Sequence, residues 1–204
     1  MVRVPAAGVA LLLLFGSGSS GNEADRAPIT APEFQLPNGP AEAVIRISWS
    51  NPLLRRSPTT VYTLFGDGRL ERASLPKNAP SPASAPAAPQ LPGTTSTVVL
   101  DAQEMHELAA LAARPALVER DPGELATEFH AAGAGIMDGA VFRVHMQFTS
   151  YSRGTVTLGP FERDFALVEP LSAAEANPRK EAVQALARLV RAVVETHKTK
   201  EAEQ

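Results

Sequence analysis

His145 is the residue best placed to do chemistry, because it stands in the middle of Ala140–Phe148, a run whose side chains alternate in character. A period of two sends Phe142, Val144, Met146 and Phe148 to one face of a strand and Arg143, His145 and Gln147 to the other. A titratable imidazole between a guanidinium and an amide, beside Thr155 and Thr157 on the same expected face, makes a polar stripe able to contact a small ligand. The plainer reading of that stripe is the solvent side of an antiparallel sheet, where polar residues are expected anyway. His145 and Met146 cannot hold one copper ion together, since neighbouring strand residues point to opposite faces.

Other candidates fail on spacing. His106 has Glu104 and Glu107 beside it, but alanine at position 110 breaks the H-E-x-x-H zinc pattern and leaves a solvated helix residue. Asp67 lies between Gly66 and Gly68, next to Phe65, Arg69 and Leu70; a calcium loop needs more oxygens, so a hairpin turn is expected. Residues 16–21 match G-x-G-x-x-G, but Pro28, Pro32 and Pro37 forbid the helix that a dinucleotide site requires. No cysteine is present, which removes disulfides, thiolate nucleophiles and cysteine-ligated metals together. No cofactor or metal is therefore expected. Triads and carboxylate pairs are set by geometry and not by sequence order, so an enzyme with scattered groups stands as the alternative to a non-catalytic domain.

The chain has 19 Lys and Arg against 22 Asp and Glu, a net charge of -3, and a single tryptophan. Such a chain offers neither a basic field for phosphate backbones nor an aromatic platform for bases, which excludes nucleic acid as a partner.

Residues 1–24 follow the order of a signal peptide: Arg3, then the apolar stretch Val9–Phe15, then small residues from Gly16 to Gly21. The apolar stretch is short of the roughly 20 residues a spanning helix needs. Cleavage is thus favoured over a retained anchor, with no membrane span in the mature chain. Residues 25–40, rich in Pro with no sustained period, read as a disordered tether. A second disordered tract, residues 75–93, carries prolines at 76, 80, 82, 86, 89 and 92. The flanking piece before it is too short for a core of its own, so the tract is a loop inserted into one domain, residues 41–197. Residues 198–204 read as a fraying charged tail.

The elements that position the His145 stripe follow from pattern. Ala43–Trp49 alternates, and Thr60–Phe65 and Arg69–Ala73 flank the Gly66-Asp67-Gly68 turn as a hairpin. Thr95–Leu100 runs into Asp101, which with Glu104 makes a capping box for a helix that Pro115 ends. Asp121-Pro122 opens a second helix, closed by Gly133 and Gly135. Thr155–Leu158 continues the apolar face, and Phe161–Val168 adds an edge strand. Asn177-Pro178 caps a long helix striped with Val183, Leu186, Leu189, Val190, Val193, Val194 and His197. The expected fold is α+β: an antiparallel sheet of about six strands with two or three helices packed on one face.

The run Pro58–Leu70, with Val61-Tyr62, Leu64 and Asp67-Gly68, followed by a capped helix, resembles uncharacterised families of bacterial exported proteins and lipoproteins with a "vY.l....dG" hairpin. The resemblance implies export to the periplasm or beyond and the same fold class, with no catalytic residue carried over. The function expected is a non-catalytic interaction or accessory domain of the cell envelope, its partner an envelope protein. The rival is an envelope enzyme or small-ligand binder using Arg143, His145 and Gln147.

Overall fold

The computed structural model describes residues 31–51, 58–75 and 94–204. The segment read as a signal peptide and the Pro-rich tract from 76 to 93 lie outside these residues. The described strands are β1 (Glu33–Gln35), β2 (Ala43–Ser50), β3 (Thr59–Phe65), β4 (Arg69–Leu75), β5 (Thr95–Val99), β6 (Val141–Phe148), β7 (Ser150–Arg153), β8 (Val156–Leu158) and β9 (Phe161–Val168). The helices are α1 (Ala102–Ala112), α2 (Pro115–Val118), α3 (Pro122–Gly133), α4 (Pro170–Ala176) and α5 (Glu181–Ala202).

Strong alternation builds a six-stranded antiparallel sheet in the order β5-β4-β3-β2-β6-β9. Ile47 sits between Tyr62 and Val144, and Ile45 between Leu64 and Met146, so the apolar positions of adjacent strands share one face. The Trp49 ring stacks on Tyr62 at 5.4 Å and on Phe142 at 5.0 Å along that face. Helix α5 covers it with Val183, Leu186, Leu189, Val190 and Val193, all buried, beside α1 and α4. Helix α3 packs instead against β9. The fold is α+β, with helices on one face of the antiparallel sheet.

The helix starts obey their local chemistry. Asp101 Oδ1 accepts from Glu104 N at 2.8 Å, and Glu104 Oε2 accepts from Asp101 N at 2.9 Å, which completes the reciprocal box. Asp121 Oδ1 accepts from both Gly123 N and Glu124 N, with Pro122 at the first helical position. In the β3–β4 turn Gly68 takes a φ of 86°, and a Cβ on Gly66 would come within 2.2 Å of the Pro37 carbonyl oxygen.

Four expectations need correction. Within the segment read as a tether, β1 pairs with β7, because Phe34 stacks on His106 at 5.1 Å and meets Phe148 edge-on at 5.9 Å. Phe34 and Leu36, partly buried against the core, order a strand whose neighbours lack any period. The charged tail does not fray at Lys198: α5 continues to Ala202, held by Lys200 Nζ on Glu104 at 2.7 Å and by Ser96 Oγ on Glu201 at 2.6 Å. Asn177 ends α4 and does not start α5, its amide donating to the Ala173 carbonyl at 2.8 Å. Finally, β8 does not extend the main sheet. Both edges of β6 are occupied by β2 and β9, so β7 and β8 pair with β1 in a separate three-stranded sheet. Among the described residues no helix is long and apolar enough to cross a membrane.

Candidate functional site

Arg143, His145 and Gln147 share the solvent face of β6, the side away from the helices. Across β2 they face Ser48 and Arg46; across β9 they face Ala166, Asp164 and Glu162. Thr155 and Thr157 are not beside them, since the chain enters the smaller sheet at β7 and the turn at Gly154, with a φ of 60°, leads from β7 into β8 of that same sheet.

The row Arg46, His145, Asp164 crosses three strands. His145 Nδ1 lies 3.0 Å from Asp164 Oδ1, and the Asp164 side chain is 76% exposed. Partial burial lowers the Arg46 guanidinium from its ordinary value. A carboxylate at Nδ1 orients the imidazole ring. Ser48 is the nearest hydroxyl in register, but it stands diagonally from His145. Such diagonals are about 7–8 Å apart, beyond direct proton transfer.

A second polar group, which sequence spacing did not reveal, joins residues more than thirty positions apart. Glu119 accepts from Tyr151 Oη and Arg153 Nε on one oxygen and from Arg153 Nη2 on the other, each at 2.6 Å. The Arg153 hydrogen bond is the main cause that holds the Glu119 carboxyl below its usual range. Burial first, and then the bond to Glu119, pushes the Tyr151 phenol up. Three charge-assisted bonds hold the carboxylate, so this group fastens β7 to the end of α2.

His197, part of the α5 stripe, is fully buried. Its Nε2 lies 3.3 Å from the Ser96 carbonyl oxygen, while Nδ1 has no hydrogen-bond partner and lies 3.8 Å from Glu201. His106 is exposed, as expected of a solvated helix residue, but its ring carries Phe34. Among the described residues no three His, Asp or Glu side chains converge as metal ligands would.

A groove of about 400 Å³ runs between α3 and β9. Its walls include Phe129, His130 and Gly133 from α3, and Asp164 through Val168 from β9. Residues of both faces of β9 line it, so it follows the edge of the strand and not either face. Among the described residues β9 is the last strand of the sheet, with no strand paired on that edge. Sequence patterning finds the strand but not the groove, which exists only because α3 returns beside it.

The chain matches no family model, and no curated protein matches it either.

Proposed function

We propose that this protein is an exported, non-catalytic interaction domain of a bacterial cell envelope, directed there by residues 1–24. The observation that supports it best is the groove along β9, an apolar channel beside an edge strand whose own ladder is unfinished. Its test is cross-linking and capture from an envelope extract, with a scrambled-surface variant as control. Enrichment of a partner over that control is expected; equal recovery removes the main support. Mass spectrometry of the mature protein should find an N-terminus beyond residue 17, and an intact Met1 on cytoplasmic protein would overturn export.

A second reading, a small-ligand binder or enzyme at His145, draws on the Asp164 carboxylate 3.0 Å from Nδ1. Against it, the two convergent groups stand on an open sheet face, and His145 is not among the residues lining the β9 groove. Titration of the His145 ring by NMR against envelope metabolites decides between the two, since an enzyme or receptor would show a saturable shift there.

A further inference from the structure

We infer that the free edge of β9 accepts an extended peptide segment of a partner as a seventh strand, its side chains alternating between apolar and basic. This rests on the interaction-domain reading and names its site and the chemistry of its partner.

The ladder itself shows which backbone groups are free. Glu169 N donates to the Ala140 carbonyl at 3.0 Å just beyond the β6–β9 pairing, in register with Val141 opposite Val168. In an antiparallel ladder the bonded pairs recur at every second residue. Leu167, Phe165 and Arg163 therefore bond to β6, and the N–H and C=O of Glu162, Asp164 and Ala166 point outward, while Val168, of the same parity, is packed against Gly133 of α3. The opposite end of the sheet gives the same parity: Ser74 N bonds to Thr94 O, and Leu100 N to Gly68 O, which fixes the even residues of β4 toward β5. Counting back through β3, β2 and β6 returns the same outward residues on β9.

Edges of this kind are usually blunted by Lys, Pro or a bulge. β9 carries neither Lys nor Pro and pairs with β6 without a register shift. Its one arginine, Arg163, is turned to the helix side, where Nη2 donates to the Val118 carbonyl at 3.0 Å. At about 3.3 Å per residue, eight residues present an edge of roughly 26 Å. The other edge, β5, is shorter, at five residues, and α5 lies against it through Ser96 Oγ on Glu201.

The two sides of an added strand would meet different chemistry. Residues opposite the outward groups of β9 have side chains on the solvent face, where Glu162 and Asp164 are exposed carboxylates. Basic residues there would sit at the spacing of directly opposed cross-strand pairs, about 4.5–5.5 Å between Cβ atoms. The alternate residues turn toward α3 and enter the channel beside Phe129, Phe165 and Leu167. Main-chain bonds would supply affinity, and the alternation specificity.

The test uses a fluorescein-labelled eight-residue peptide of alternating Lys and Val, with a Glu and Val peptide as control, on the full chain. Saturable binding at least tenfold tighter for the Lys peptide is expected, with slowed hydrogen exchange at the amides of Glu162, Asp164 and Ala166. Ala166→Pro removes one outward N–H and none of the bonds to β6, so it should weaken binding at least tenfold. If that variant does not fold, the double reversal Glu162→Lys with Asp164→Lys should shift preference to the Glu peptide. No saturable binding, or binding indifferent to every variant that folds, overturns the proposal. So does protection of the same amides without peptide alongside a dimer in sedimentation, which would assign the edge to a second copy. An envelope partner captured equally by wild type and Ala166→Pro would leave the interaction domain standing and remove this edge as its site.

Discussion

Phe129 is the side chain that docks α3 beside β9, and its truncation should measure how firmly the groove wall is held. The ring is fully buried and meets Phe165 edge-to-face at 5.4 Å. A buried aromatic covers about 150–250 Å², of which Phe129→Ala removes roughly 120 Å²; at about 25 cal/mol/Å² that is about 3 kcal/mol. Loss of the ring pair adds about 0.5–1.5 kcal/mol. The adjoining groove lets α3 settle inward and water enter, which limits any further cavity cost. The expected loss is about 3.5–4.5 kcal/mol, or roughly 7–18 °C in Tm for a domain of this size. Urea unfolding followed by Trp49 fluorescence reads it, because the single tryptophan lies within the main sheet. A double cycle with Phe165→Leu should return a coupling of about 0.5–1.5 kcal/mol. A loss below about 1 kcal/mol, the scale of a surface change, would refute the docking of α3 by this ring.

Three further outcomes are expected. Glu119→Gln should lower Tm at neutral pH; because Arg153 holds the Glu119 carboxyl below its ordinary value of 4.5, that stabilisation is complete above this pH and fades as pH falls through the lowered value, so the gap to wild type should close in acid melts. Asp101→Ala, which removes the side-chain half of the α1 box and keeps the backbone N–H that donates to Glu104, should cost about 1 kcal/mol in urea unfolding, and Asp101→Asn much less. Gly66→Ala must displace the Pro37 carbonyl that its Cβ would meet at 2.2 Å, and should cost about 1–3 kcal/mol in a thermal melt.

Residues whose neighbours in sequence are also their partners in space were readable in advance. The period of two in Ala43–Trp49 and Ala140–Phe148 became adjacent strands, and the Asp101-x-x-Glu104 and Asp121-Pro122 signals became helix starts. The stripe of α5, including His197, became its buried side. Strand β1 was hidden because a three-residue strand has no period to detect, and the Asn177-Pro178 signal misled because the same residues serve a helix end. The Arg143, His145 and Gln147 stripe was placed on the solvent face, but Asp164 beside His145 depended on which strand takes the far edge of β6.

Alternation, caps and turn chemistry therefore fixed the elements and their apolar faces, since each rests on contacts within a few residues. Only the tertiary structure decided which strand stands last in the sheet, that α3 lies along it, and that Glu119 meets Tyr151 and Arg153. Those are pairings across distant parts of the chain, selected by which faces can be buried together, and no local spacing encodes them. The groove at β9 belongs to this second kind: its strand is written in the residues, and its opening is a consequence of the packing.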